Sequence, residues 1–155
     1  GLTKEDKFWS RLLNSKIALE FKNKIEGDFK YVINPGNTST PLLNIIPKKW
    51  KEIIGQEVLI QFQGNSLKFY LHHANKNSAE KLIKFSKSQI QCKNIKFKKI
   101  TKRKENSCYI LETKLTDNLN DDFTLKDIYR FLVTFYENID NKIIKNYTTS
   151  TKYNS

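Results

Sequence analysis

Methionine is absent from all 155 residues, cysteine occurs twice, proline three times and glycine five times. Cys92 and Cys108 cannot make a disulfide framework, and their scarcity suits a reducing cytoplasm. Without a Cys-x-x-Cys pair, a zinc site would have to gather His72, His73, Cys92 and Cys108 from unpaired positions. No glycine loop able to cradle phosphates and no nucleophile elbow is present. No apolar run reaches the length of a membrane span, and no signal-peptide pattern opens the chain. A chain lacking methionine even at its first position reads as a piece excised from a longer protein. Acids are scarce as well: 16 stand against 28 Lys and Arg, for a formal charge of +12. That excess favours a polyanion, either nucleic acid or an anionic membrane surface.

What is present is enough for one domain. Hydrophobic residues make up 38% and aromatics 12%, which excludes a disordered tail. Residues 1–145 read as a single domain and 146–155, rich in Thr, Ser, Asn and Tyr, as a fraying tail. Thr3-Lys4-Glu5-Asp6 has the form of a capping box. It opens a helix over residues 4–14, with Phe8, Trp9, Leu12 and Leu13 covering one end of the core. Asn14-Ser15 is its stop, or it runs on towards Phe21.

Phe29 to Ile33 is β-branched and aromatic, the composition of a strand. Asn34-Pro35-Gly36-Asn37 then forces a turn, and Leu42 to Ile46 forms the next strand. Pro47 opens a short helix through Trp50 and Ile54, which Gly55 ends. Val58 to Phe62 and Leu67 to Leu71 alternate in polarity around Gly64-Asn65, as a hairpin does. A helix follows over residues 78–88, then a second hairpin, Ile95 to Thr101 and Cys108 to Leu115. Asn118 to Asp122 is an acidic linker. Thr124 and Asp127 form another capping box, before a helix whose stripe is Ile128, Phe131, Leu132, Phe135 and Ile139. The fold class is α+β, mainly β: an open antiparallel barrel with helices added at both ends.

Phe29-Lys30, then Asn37-Thr38-Ser39-Thr40, an apolar strand and Ile46-Pro47-Lys48-Lys49-Trp50, resemble the opening of a B3-type DNA-binding domain. That family is best known from plant transcription factors. The fold also serves restriction enzymes such as EcoRII and BfiI, and the amino-terminal specificity domain of LlaJI-type relatives of McrB, to which this chain is most similar. The likeness covers the first half of the barrel; the family's downstream Gly-Trp and Gly-Asp pairs have no counterpart. It implies a seven-stranded pseudobarrel whose two arms, here 34–40 and 72–77, enter the major groove from one rim. By the same likeness the chain is a non-catalytic module for double-stranded DNA, without a cofactor, in a restriction complex whose cleaving and nucleotide-hydrolysing parts lie elsewhere.

Candidate contacts follow from chemistry. Asn34, Asn37, Thr38, Ser39 and Thr40 carry short donors and acceptors able to meet base edges or phosphates. Composition alone reads them as a solvent loop bonding its own backbone; the flanking pattern makes the two readings even. In the second arm Asn75 and Asn77 suit adenine, and His72, His73 and Lys76 suit guanine or phosphate. Lys68 and Tyr70 share the outward face with His72. Lys96, Lys98, Lys102 and Arg103 form a basic run, a supporting phosphate track or a solvated face. Two rival functions stay open. Glu112-Thr113-Lys114 has the acid-x-lysine spacing of a metal-dependent nuclease but needs a second acid for Mg²⁺. A single-strand or RNA binder would stack bases on Tyr70 and Tyr31.

Overall fold

The computed structural model describes residues 2–34, 40–72, 76–91, 94–99 and 107–147. Strands β1 (Phe29–Asn34), β2 (Leu42–Pro47), β3 (Val58–Gln63), β4 (Ser66–His72), β5 (Phe97–Lys99) and β6 (Ser107–Lys114) form one antiparallel sheet. Its order is β1-β2-β3-β4-β6-β5, so β1 and β5 are the edges and the described sheet is open. The helices are α1 (Lys4–Lys24), α2 (Lys48–Ile54), α3 (Lys76–Gln89), α4 (Leu115–Asn118) and α5 (Leu125–Lys142), which a π-turn, Ile143–Tyr147, extends. Helical residues outnumber strand residues, so the class is α+β but not mainly β. No described helix is long and apolar enough to cross a membrane.

The strands and α2 sit where composition places them, and Gly55 closes α2 at φ 82°, a conformation that costs residues with a Cβ. Both capping boxes form. Thr124 Oγ1 accepts the Asp127 N–H while the Asp127 carboxylate accepts the Thr124 N–H. Those bonds hold the Asp127 carboxyl below its usual range. The first helix departs from expectation. It continues to Lys24 because Ile17, Ala18 and Phe21 carry its apolar face onto β1 and β2. Its buried residues begin only at Asn14, and Phe8, Trp9 and Leu12 are exposed rather than core. The expected linker 118–122 gives its first residue to α4. There Asn118 donates to Thr113 Oγ1 and the Lys114 carbonyl, and accepts the Lys96 N–H, tying β5 to β6. The fold runs through Tyr147, past the expected boundary at 145: that ring is buried against Phe85.

One face of the sheet takes the helices. Tyr31, Ile45, Ile60, Phe69 and Leu111 lie opposite one another across five strands. Phe21 of α1 packs edge-on to Phe29 and Tyr31, so Tyr31 belongs to this interior and is no stacking platform. Trp50 of α2 is fully buried, meets Phe69 edge-on and stacks on Tyr136 of α5 at 5.5 Å between ring centres. Its Nε1–H donates to Asp140 Oδ1 at 2.8 Å, and Lys49 Nζ donates to the other oxygen at 2.9 Å.

Asp140→Ala strands a buried indole N–H, and the expected loss in urea unfolding is about 1–3 kcal/mol. Lys49 is 41% exposed, so Lys49→Ala should cost no more than about 1 kcal/mol; equal losses would reject the Trp50 bond as the dominant one. Burial first, then the nearby carboxylates of Asp140 and Glu137, push the Tyr136 phenol far above its ordinary value. Burial also raises Tyr31, Tyr129 and Tyr147. A raised folded-state pKa means the native protein holds protons that the unfolded chain releases. Stability should therefore be complete below the ordinary phenol pKa near 10 and fall as pH rises past it. Urea midpoints across that range should fall less steeply in Tyr136→Phe.

Candidate nucleic-acid interface

Alternation along each strand sends every second side chain to the face without helices. Val32, Asn44, Gln61, Lys68, Glu112 and Lys98 are matched partners in a row across all six strands. Beside it run Asn34, Leu42, Gln63, Ser66 and Lys114. On its other side lie Lys30, Ile46, Leu59, Tyr70 and Tyr109; a bulge between Phe69 and Tyr70 shifts the β4–β6 register there. An antiparallel sheet tolerates one solvated face. Here Leu59 and Ile46 are nonetheless buried and the polar groups in the middle are half-buried, so the face is a packed polar surface.

Its polar groups engage one another. Gln61 Nε2 donates to Asn44 Oδ1 at 3.2 Å, and Ser66 Oγ donates to Glu112 Oε1 at 3.3 Å. Gln63 Nε2 donates to the Thr40 carbonyl at 3.0 Å. The Lys68 ammonium sits 5.6 Å from the centre of the Tyr109 ring, close enough for a cation–π contact. Charge is one-sided: this face carries Lys30, Lys68, Lys98 and Lys114, and the strands hold a single carboxylate, Glu112. The other acids lie in helices and connections.

The sequence candidates divide. Lys68, Tyr70 and Lys98 share the open face, with Asn34 on its β1 margin. Thr40 stands beside Gln63, the end of β3. Lys96 is exposed, with its backbone fixed by Asn118. Lys76 and Asn77 are not loop residues but the exposed first turn of α3, where Lys76 faces Glu80 at 3.9 Å. Asn37, Thr38, Ser39, His73, Asn75, Lys102 and Arg103 lie outside the described residues, as do Cys92 and the side chains of His72 and Cys108; the zinc reading therefore falls there too.

The two arms do not leave from one rim. Asn34, where the first arm begins, is level with Leu42, Gln63, Ser66 and Lys114, whereas β4 ends at His72, at the opposite end of the ladder. The reason is parity: in four successive antiparallel strands, the ends of the first and fourth point opposite ways. His72 instead pairs with Ser107, the strand start to which the segment carrying Lys102 and Arg103 returns.

The sequence reading missed Lys30, Asn44, Gln61 and Tyr109, and gave Lys114 only to the nuclease reading. The signal was the polar interruptions of β2 and β3, at the spacing that puts them on one face. A groove of about 370 Å³ between β5, β6 and α4 brings Glu112, Lys114 and a second acid, Asp117, together. Among the described residues no three His, Cys, Asp or Glu side chains gather as metal ligands. Comparison with protein-family models, with curated proteins and with solved structures finds no match for this chain.

Proposed function

We propose that the chain is a non-catalytic double-stranded DNA-binding module that sets the open face of its sheet against the phosphate backbone. The observation that carries this is the charge segregation: four lysines and one carboxylate on a face whose other polar groups are amides, a hydroxyl and two tyrosines, set beside Val32, Leu42, Ile46 and Leu59. Phosphate contacts supply most of the affinity of such modules, and amides and hydroxyls position the duplex. Duplex is favoured over single strand because base stacking needs free aromatic faces. Tyr70 and Tyr109 are half-buried, and the Lys68 ammonium lies over the Tyr109 ring.

The B3 likeness extends this reading. In it the open sheet is part of a pseudobarrel, and the module is the target-recognition part of a restriction enzyme. Base reading is then assigned to segments at either end of the sheet rather than to two arms on one rim. The order strand, polar segment, strand, proline-led helix and hairpin supports it. A second reading draws on the Glu112–Asp117 groove: a metal-dependent nuclease, with Lys114 beside the attacked phosphate.

Fluorescence anisotropy with random duplexes tests the first reading. Each phosphate contact removed should reduce the slope of log affinity against log salt by about 0.9. Lys98→Ala and Lys114→Ala should do so on all sequences alike, and unpaired oligonucleotides should compete poorly. Salt-independent binding, or unchanged binding in the double variant, would reject the face. Mg²⁺-dependent nicking lost in Glu112→Ala would replace this reading with the second.

A further inference from the structure

On the other side of the molecule, α1 carries two apolar stripes. One, with Ile17 and Phe21, is buried in the core. The other is exposed: Phe8, Leu12 and Leu19 recur at i, i+4 and i+11, which at 3.6 residues per turn keeps them on one side of the helix. Leu19 is 60% exposed, and Trp9 beside this stripe is 57% exposed. Single exposed apolar residues need no explanation, but Phe8, Trp9, Leu12 and Leu19 along one side of a helix, broken only by Ser15 and Lys16, do. The stripe leads into a groove of about 680 Å³ between α1 and the first turns of α5. Leu19, Ile17, Leu125 and Tyr129 supply its apolar lining, and Leu125 is 42% exposed.

The rim is basic. Lys16, Lys24, Lys126 and Arg130 surround the groove against one carboxylate, Glu20, which Lys24 already holds at 2.6 Å. Lys16, Lys126 and Arg130 form no ion pair among the described residues. The neighbouring Asp127 is hydrogen-bonded in the helix cap with Thr124 and acts on Lys126 and Arg130 only through space, without a contact ion pair. An apolar trough between two helices, edged by unpaired cations, fits the side chains of a third helix better than it fits a polyanion, which has no apolar face to bury.

We propose that the α1–α5 groove and the stripe leading into it form the docking site for an acidic amphipathic helix of a protein partner. Leucine-type side chains of that helix fill the trough, and its flanking carboxylates meet Lys16, Lys126 and Arg130. Charge complementarity selects this occupant over a second copy. A second copy would bring an α1 of six basic and three acidic residues to a rim that is itself basic, and like charges disfavour helix association. Concavity selects it over a membrane: Phe8, Leu12 and Leu19 do face outward as on a bilayer-binding helix, but Ile17 and Tyr129 lie between two helices, where an inserted side chain reaches them and a flat bilayer does not.

The test uses the whole chain and two fluorescein-labelled peptides that share one heptad pattern of leucines, with glutamate at the remaining positions in one and lysine in the other. Anisotropy should show the acidic peptide binding at least about ten-fold more tightly and weakening in high salt. Leu19→Glu and the pair Lys126→Glu/Arg130→Glu change exposed positions and should each reduce its affinity by about ten-fold or more. Lys98→Ala, on the opposite face, should leave it unchanged. Equal binding of both peptides, or of neither, overturns the proposal. So does self-association that Leu12→Glu abolishes, and so does cosedimentation with phosphatidylserine vesicles without any preference for the acidic peptide.

Discussion

Trp50 is the joint on which the two layers close. A short helix of seven residues could not hold its place by its own hydrogen bonds. The indole of α2 reaches the centre of the sheet at Phe69 and the face of Tyr136 on α5, and its one polar atom is satisfied by Asp140. A large aromatic buries well but needs a partner for its N–H. Here the partner is a carboxylate one helical turn beyond Tyr136. The indole thereby fixes how far α5 lies along the sheet as well as that it lies there. Tyr136 in turn meets Phe21 and Phe29, so the same ring cluster positions α1 and the edge strand β1.

With the helices committed to one face, the other follows from the period of the strands. A residue whose neighbours point inward points outward, and among the described residues no helix is left to cover it. That gives Asn44, Gln61, Lys68 and Lys98 a common surface although they come from four strands. The buried Leu59 and Ile46 beside them on that face keep the surface firm, and the Asn118 bonds to Lys96, Thr113 and Lys114 keep the three-residue β5 in place with Lys98. A short edge strand bearing charge also resists pairing with another chain.

Much of this was legible. The Gly64-Asn65 turn, the Pro47 and Gly55 boundaries and both capping boxes are local signals, and local signals survive packing. The stripe of α5 was legible because one face of that helix alone is buried. What escaped depends on relations between elements. Phe8, Trp9 and Leu12 have helical spacing, but spacing does not say how far a helix outruns the sheet beneath it. Tyr31 lies among alternating residues, and only the ladder shows that it shares the face of Ile45. The rim of each arm was within reach: counting four antiparallel strands places Asn34 and His72 at opposite ends. The B3 likeness implies a common rim, but strand parity decides the end of the ladder from which each segment leaves.

The two proposed surfaces also differ in what would draw a partner to them. Both are positive, and a protein of charge +12 attracts anions everywhere at long range. At contact the field no longer discriminates, and the neighbouring uncharged groups decide. On the sheet the exposed and half-exposed ones are mostly amides and hydroxyls, which a phosphate backbone can use and a leucine cannot. In the α1–α5 groove they are Leu19, Leu125 and Ile17, for which the reverse holds. A helix layer is about 10–12 Å thick, and charges are screened over about 8 Å at physiological salt. An anionic ligand on one face therefore does little to neutralise the other, and occupation of the two can be independent.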